Sequence, residues 1–297
     1  VYNKWNRFAA LFLAGILLLA LAGCGKEQKE IVVGGKNFSE QFIMAEMLSI
    51  LIEENTDLKT TTKTNLASTV LFDAIKKEEV DLYLEYTGTG LINLGIEPMN
   101  DPDEVYDRVQ KEFNEQLNIK WMEPYGFNNT YAMVVTKETA EKYNLETISD
   151  LAEIGDELTL GCTYVFVERD DGNPGLNRHY DFEFGDVKGM DPALMYQALV
   201  QDEVDVISAF ATEGRIAAFD LVILEDDKQF FPPYDATTII RQEVLDEHPE
   251  LEEVLNMLAG RIDDIKMAEL NAAVDLDKRE PEDVAREFLE EEGLIDK

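Results

Sequence analysis

The sequence is poor in the residues on which most protein chemistry depends. Its 297 residues hold two cysteines, two histidines and two tryptophans. Cys24 and Cys162 are too few for a disulfide scaffold or a cysteine-based zinc site. His179 and His248 leave little scope for imidazole chemistry. Positive charge is also scarce: 26 Lys and Arg stand against 62 Asp and Glu, a formal net charge of −36. So acidic a surface repels phosphate backbones and anionic headgroups, which argues against nucleic acid or a membrane surface as the main partner. No Ser/His/Asp spacing, phosphate loop or metal-ligand cluster is present, so neither catalysis nor a cofactor is expected. What the chain does have is 45% apolar residues, enough for a sizeable core and for one large or two ordinary domains.

The one long apolar run lies at the N-terminus. Phe8 to Leu21 extends 14 residues behind Lys4 and Arg7, short of a membrane span. It ends in Leu21-Ala22-Gly23-Cys24, which resembles a bacterial lipoprotein signal. That resemblance implies cleavage before Cys24, lipidation of its sulfur and a domain anchored to the membrane by lipid alone. Residues 1–23 are therefore expected to be a signal peptide and 24–30 a polar tether. Cys162, the remaining thiol, follows an apolar stretch and reads as a small buried residue.

Beyond the tether, strand-like and helix-like segments alternate, which predicts an α/β architecture. Strands are expected at 31–33, 60–64, 82–86 and 131–136. Helices are expected at 42–52, 69–77, 103–117, 138–143 and 148–151, and an amphipathic one at 281–291. Asn37 or Ser39 is placed to cap the first helix, with Glu40 favouring its positive end. Gln41 falls inside that helix. Glu78-Glu79 and Asp226-Asp227 read as solvated turns, and both histidines as exposed loop residues.

An internal echo organises these segments. Ala74-Ile75-Lys76-Lys77-Glu78-Glu79-Val80-Asp81 parallels Ala198-Leu199-Val200-Gln201-Asp202-Glu203-Val204-Asp205 at an offset of 124, and in that register Tyr86 falls on Phe210. Ile31-Val32-Val33-Gly34 parallels Leu158-Thr159-Leu160-Gly161. Tyr131 and Tyr234 each open a β-rich segment followed by a helix. Two similar lobes with a cleft between them are the expectation. Asn128-Asn129-Thr130 and Phe231-Pro232-Pro233 would be the crossings. The lobes would comprise 31–130 with 234–297, and 131–233.

In open α/β sheets ligands sit beyond the strand C-termini, so Tyr86 and Phe210 are candidates to face the cleft from opposite sides, with Tyr131 and Tyr234 at the crossings. Four aromatic faces make a box that attracts a cation, best of all a bulky, weakly hydrated quaternary ammonium. A zwitterion would also need its anion held. Lys36 follows Gly34-Gly35 just before a helix start, Thr89 lies three residues past Tyr86, and Arg169 lies in the loop after the first strand of the second lobe.

These residues sit in blocks that resemble a known family. The blocks include Gly34-Gly35-Lys36-Asn37-Phe38-Ser39-Glu40-Gln41, the run from Asp81 to Thr89, and Gly126-Phe127-Asn128-Asn129-Thr130-Tyr131-Ala132. Further blocks run from Phe210 to Arg215, from Leu224 to Tyr234 and through Glu269-Leu270-Asn271. Over about residues 31 to 295 the chain resembles the substrate-binding lipoproteins of osmoprotectant ABC importers of the glycine betaine/carnitine/choline class. The resemblance implies a two-lobed periplasmic-binding-protein fold, type II-like, that closes by hinge motion. It implies an aromatic cage of Tyr86, Tyr131, Phe210 and Tyr234, and anion contacts at Lys36, Thr89 and Arg169. The implied setting is an extracytoplasmic monomer that delivers ligand to permease subunits. Phe210 stands where many members have Tyr, and Thr89 where choline-preferring relatives can carry an acid, which favours a carboxylate-bearing ligand.

A larger betaine such as ergothioneine, or a ligand-sensing role beside a membrane partner, are the alternative readings. Tyr83 lies three residues before Tyr86 and so faces the other side of its strand. Tyr86→Ala is therefore expected to weaken ligand binding more than Tyr83→Ala. Equal losses in titration calorimetry would sink the assignment.

Overall fold

The structure, a computed structural model, describes residues 30–97, 99–168 and 172–296. The expected signal peptide, Cys24, nearly all of the tether, and Arg169 lie outside the described residues. Among the described residues no helix is long and apolar enough to cross a membrane.

The first run of chain comprises β1 (Ile31–Lys36), α1 (Ser39–Asn55), β2 (Thr60–Leu66), α2 (Ser68–Lys76), β3 (Leu82–Tyr86), α3 (Thr87–Leu94), α4 (Pro102–Leu117) and β4 (Ile119–Trp121). The second comprises β5 (Tyr131–Val135), α5 (Lys137–Tyr143), two short 3-10 turns, β6 (Thr159–Thr163), α6 (Tyr164–Glu168), α7 (Asn173–Tyr180), β7 (Asp186–Met190), α8 (Pro192–Val200), β8 (Val206–Phe210), α9 (Gly214–Ala218) and β9 (Val222–Leu224). The chain then returns through β10 (Ala236–Arg241), α10 (Gln242–Glu247), α11 (Glu250–Leu255), α12 (Asp264–Asp275) and α13 (Pro281–Glu291).

These strands form two five-stranded sheets of the same plan, β2-β1-β3-β10-β4 and β7-β6-β8-β5-β9. In each, four strands point the same way and the strand that follows a crossing runs against them, β10 between β3 and β4 and β5 between β8 and β9. Central β3 is buried along its whole length, as a strand covered on both faces must be. Edge strand β2 is largely exposed and carries Lys63, which guards its open side. Helices cover both faces of the first sheet. α1 and α10 to α13 enclose one core on one face, and α2, α3 and α4 enclose another on the opposite face. The amphipathic α13 turns Val284, Ala285, Phe288 and Leu289 into the first of these cores.

The internal echo holds at the level of single hydrogen bonds. Val32 N–H donates to Asp81 Oδ2 at 2.8 Å and Thr159 N–H to Asp205 Oδ2 at 2.8 Å. Each aspartate returns its own N–H, to the Val32 and Thr159 carbonyls, at 2.9 Å. The preceding turns match too, with Glu78 and Asp202 both at positive φ, 63° and 56°. Each aspartate thus pins the start of one parallel strand to the helix–strand turn of the next. One part of the echo fails in register: Tyr131 lies directly opposite Phe210, whereas Ala236, not Tyr234, lies opposite Tyr86. Tyr234 precedes its strand by two residues, in the crossing itself.

Some local expectations are corrected. Neither Asn37 nor Ser39 caps α1; Phe38 is its N-cap and has no side-chain cap bond. The Ser39 hydroxyl instead donates to Asp275 on α12. Thr89 lies in α3, which begins at once after β3 and contains Gly88 and Gly90. His179 is exposed as expected but lies on α7, and His248 lies between α10 and α11 as expected but is half-buried. Asp226 organises its turn, accepting from the Tyr180 hydroxyl and from the amides of Phe230 and Phe231. Cys162 is fully buried in β6, and burial pushes its thiol up to about 11.

Asp81 also accepts from Arg241 Nη1 at 2.9 Å, with both side chains buried. Asp81→Ala removes the buried partner of Arg241 and leaves it Glu78 at 3.4 Å and Glu243 at 2.5 Å, so it is expected to cost about 2–3 kcal/mol in denaturant unfolding. Asp205→Ala, at a half-buried position, should cost about 1–2 kcal/mol. Equal costs would show that the arginine adds nothing.

Asp235, in the second crossing, is held up at about 6, chiefly by burial and further by Asp264 and Asp103. The folded chain keeps this proton at pH values where the unfolded chain has lost it. Stability therefore falls as pH rises from about 4 to 6, and the penalty persists above. Asp235→Asn is expected to raise the melting temperature at pH 7.5 and to change it little at pH 4. An equal shift at both would refute the titration.

Candidate functional site

Between the sheets lies a cavity of about 700 Å³, within the usual range for small-molecule sites, roughly 300–1,000 Å³. All four expected aromatics line it: Tyr86, Tyr131, Phe210 and Tyr234. So do Lys36 and Thr89. Gln41 is buried inside α1 and braces the wall from behind, donating to the Tyr86 hydroxyl at 3.2 Å and accepting from the Lys36 amide at 3.1 Å.

The cavity's position follows from the topology. Tyr86 ends β3 and Phe210 ends β8, so both project beyond the central strands of their sheets. The antiparallel register sets Tyr131 opposite Phe210, and their rings stack at 4.8 Å between centroids. Phe166 and Phe231 back Tyr131 at 5.3 and 5.9 Å. Phe210 is nonetheless 48% exposed, against 5% for Tyr86, so one wall offers an open aromatic face. Tyr234 is brought in by Gly88: a Cβ there would meet the Pro233 carbonyl at 2.7 Å and the Tyr234 ring at 2.8 Å. Tyr83 points away from the cavity into the core beneath α2 and α4.

Lys36 is less available than its position in sequence suggests. Its ammonium is ion-paired with the buried carboxylate of Glu85 and lies 4.6 Å from the Tyr86 ring centroid. Glu85 also accepts from the Tyr83 hydroxyl at 3.0 Å and the Tyr86 amide at 2.9 Å.

Several wall residues were not singled out from sequence. Glu40, read there only as a helix-dipole partner, is 2% exposed and lines the cavity. It accepts from the Tyr86 hydroxyl, from Asn129 Nδ2 at 3.0 Å and from Asn271 Nδ2 at 3.2 Å. Burial raises its pKa, opposed by hydrogen bonds from Tyr86, Thr212, Asn271 and Asn129. Asn271 Nδ2 also reaches the Thr212 carbonyl at 2.8 Å, linking α12 to the segment after β8. Gly214 follows, packed so closely on α12 that a Cβ would meet the Ala272 amide at 2.5 Å. Glu213, paired with Arg215 at 2.7 Å, and Asp275 complete an acidic rim. The signal for these residues lay in contacts between distant segments, which no local pattern carries.

Chemically, aromatic faces and carboxylates make the cavity attractive to a cation. The N-termini of α1, α2 and α3, none with a side-chain cap, bring Ser39, Ser68 and Thr89 to the same wall. Hydroxyls and unsatisfied amides at such ends suit an anion. The arrangement fits one ligand carrying both charges.

Known proteins give the family. Residues 29–291 match the family model described as the substrate binding domain of the ABC-type glycine betaine transport system. The chain is 38% identical over 292 residues to the carnitine transport binding protein OpuCC of Listeria monocytogenes, covering 97% of this chain and 94% of that one. It is 35% identical to the ergothioneine transport permease/ergothioneine binding protein EgtU of Helicobacter pylori, covering 99% of this chain but only 53% of that longer protein. A crystal structure described as a glycine betaine/carnitine/choline ABC transporter superposes with a TM-score of 0.88 at 40% identity, over 90% of this chain and 100% of that one. The chain belongs to the family of substrate-binding domains of ABC-type glycine betaine transport systems, which bind a solute and hand it on rather than transform it.

Proposed function

We propose that this protein captures a quaternary-ammonium zwitterion, glycine betaine, carnitine or a related betaine, and delivers it to the permease of an ABC importer. Tyr86, Tyr131, Phe210 and Tyr234 hold the trimethylammonium. Thr89 and Arg169 hold the carboxylate with Lys36, whose pairing with Glu85 makes its share the smallest. The protein works outside the cytoplasm as a monomer, anchored by a lipid on Cys24. Its two lobes, 31–130 with 234–297 and 131–233, close on the ligand. The observation that carries this reading is the convergence of four aromatics from two sheets and one crossing on a single cavity. Each such face contributes about 0.5–2 kcal/mol toward a cation, and four supply a large share of the roughly 8 kcal/mol behind micromolar binding.

A larger betaine such as ergothioneine is the second reading. It is favoured by the relative named for that ligand and by a cavity whose walls extend past the cage to Ser68, Ile92 and Asp275.

Titration calorimetry against glycine betaine, carnitine, choline, ergothioneine and proline tests both readings. At least one betaine should bind with micromolar affinity and proline, which lacks the quaternary nitrogen, should not. Phe210→Ala should weaken the bound betaine about tenfold and Phe210→Tyr should retain it. Silence across the panel from a folded sample would remove the quaternary-ammonium reading.

A further inference from the structure

The Tyr86 ring is surrounded by more buried charge than the other functions of the wall require. Lys36, Glu40 and Glu85 are all at most 4% exposed, and all three reach Tyr86: Lys36 over its ring, Glu85 at its amide, Glu40 at its hydroxyl. Lys36 and Glu85 neutralise one another. Among the described residues Glu40 has neutral donors only, Tyr86, Asn129, Asn271 and Thr212. Every one of these contacts donates to Glu40, which is the pattern that suits a carboxylate and not a carboxylic acid. With Glu40 ionised, which its donors favour and its burial opposes, the cluster holds one negative charge that no cation among the described residues neutralises, at the wall of a cavity lined by aromatic faces. The cost of keeping that charge out of water is offset when a ligand cation arrives.

The route from this charge to the ligand runs through the phenol. Tyr86 donates its hydroxyl proton to Glu40 and accepts from Gln41 Nε2 at 3.2 Å, so its hydroxyl is held on both sides. A phenol that donates to an anion in a low-dielectric setting is polarised, and electron density moves into the ring. A ring face of greater negative potential binds a cation more strongly and an uncharged group of the same shape no better.

We propose that Glu40 is a positioning residue that acts through the Tyr86 hydroxyl to set how strongly the site prefers a quaternary ammonium over its uncharged isostere. This rests on the quaternary-ammonium reading above, and it goes further in assigning the charge selectivity to a residue outside the aromatic cage.

The probes are glycine betaine and 3,3-dimethylbutyrate, which keeps the carboxylate and replaces the trimethylammonium with an uncharged tert-butyl group. Their affinities are measured by calorimetry for the wild type, Glu40→Gln, Tyr86→Phe and the double variant, with thermal melts to establish folding. The wild type should prefer glycine betaine. Glu40→Gln, which keeps an acceptor for the hydroxyl but removes the charge, should reduce that preference about fivefold to thirtyfold. Its affinity for 3,3-dimethylbutyrate should stay within about twofold. Tyr86→Phe should lose a similar share, and the double variant no more than either alone. If Glu40→Gln fails to fold, Tyr86→Phe alone decides the matter. Equal losses for both probes would reduce Glu40 to a structural role and overturn the proposal. Full preference retained in Tyr86→Phe would overturn it as well, since the carboxylate would then not act through the hydroxyl. A wild type indifferent to the charge overturns the cage reading and this proposal with it. A wild-type preference that Glu40→Gln leaves intact overturns this proposal alone.

Discussion

The antiparallel pairing of one incoming strand against each central strand is the constraint on which the rest depends. β10 against β3 and β5 against β8 fix where the crossings leave each sheet. Because the crossings leave at the ends bearing Tyr86 and Phe210, the aromatic residues cannot avoid one another. The parallel half of each sheet is in turn pinned by the aspartate that clasps the first strand's peptide, Asp81 in one and Asp205 in the other. The meeting of the strand-end rings thus follows from strand order, and their polar ends are held separately, as the Tyr86 hydroxyl is by Glu40 and Gln41.

Electrostatics then refine what topology roughly provides. The chain is strongly acidic, yet its surface charge is screened over about 8–10 Å in physiological salt. The carboxylates that matter are those removed from water, Glu40 and Glu85 behind Tyr86, whereas Glu213 is half-buried and Asp275 exposed at the rim. Hydroxyls and helix starts in the same cavity supply the complementary sign.

Much of this was legible in the residues. β3 and the terminal helix have the bounds their patterns predict, and the 124-residue echo located the paired strand ends and hence two of the four rings. Those features are written in local periodicity, which a sequence displays directly. What was illegible depends on contacts across the chain. Nothing near Lys36 announces that Glu85 will take its charge, and nothing near Glu40 points to Asn271. The cap expected at Asn37 or Ser39 failed because Ser39 finds Asp275 on a helix more than two hundred residues later. Tyr234 echoed Tyr131 in sequence but not in register, because similarity of pattern does not specify which residue stands opposite which.

The shared plan of the sheets conceals a difference in how each can be completed. The second sheet is a continuous stretch of chain, and its antiparallel pair joins Tyr131 to Phe210. The first is interrupted by that whole stretch, and β3 meets its partner only when Ala236 reaches Tyr86. Closing so long a loop costs little more free energy than closing a short one, so the interruption is cheap at equilibrium. Its effect is on order in time. As the chain emerges from N- to C-terminus, the second sheet has all its strands while β3 still has an open edge. The cavity, which needs both, takes shape only after the chain has returned to the first sheet.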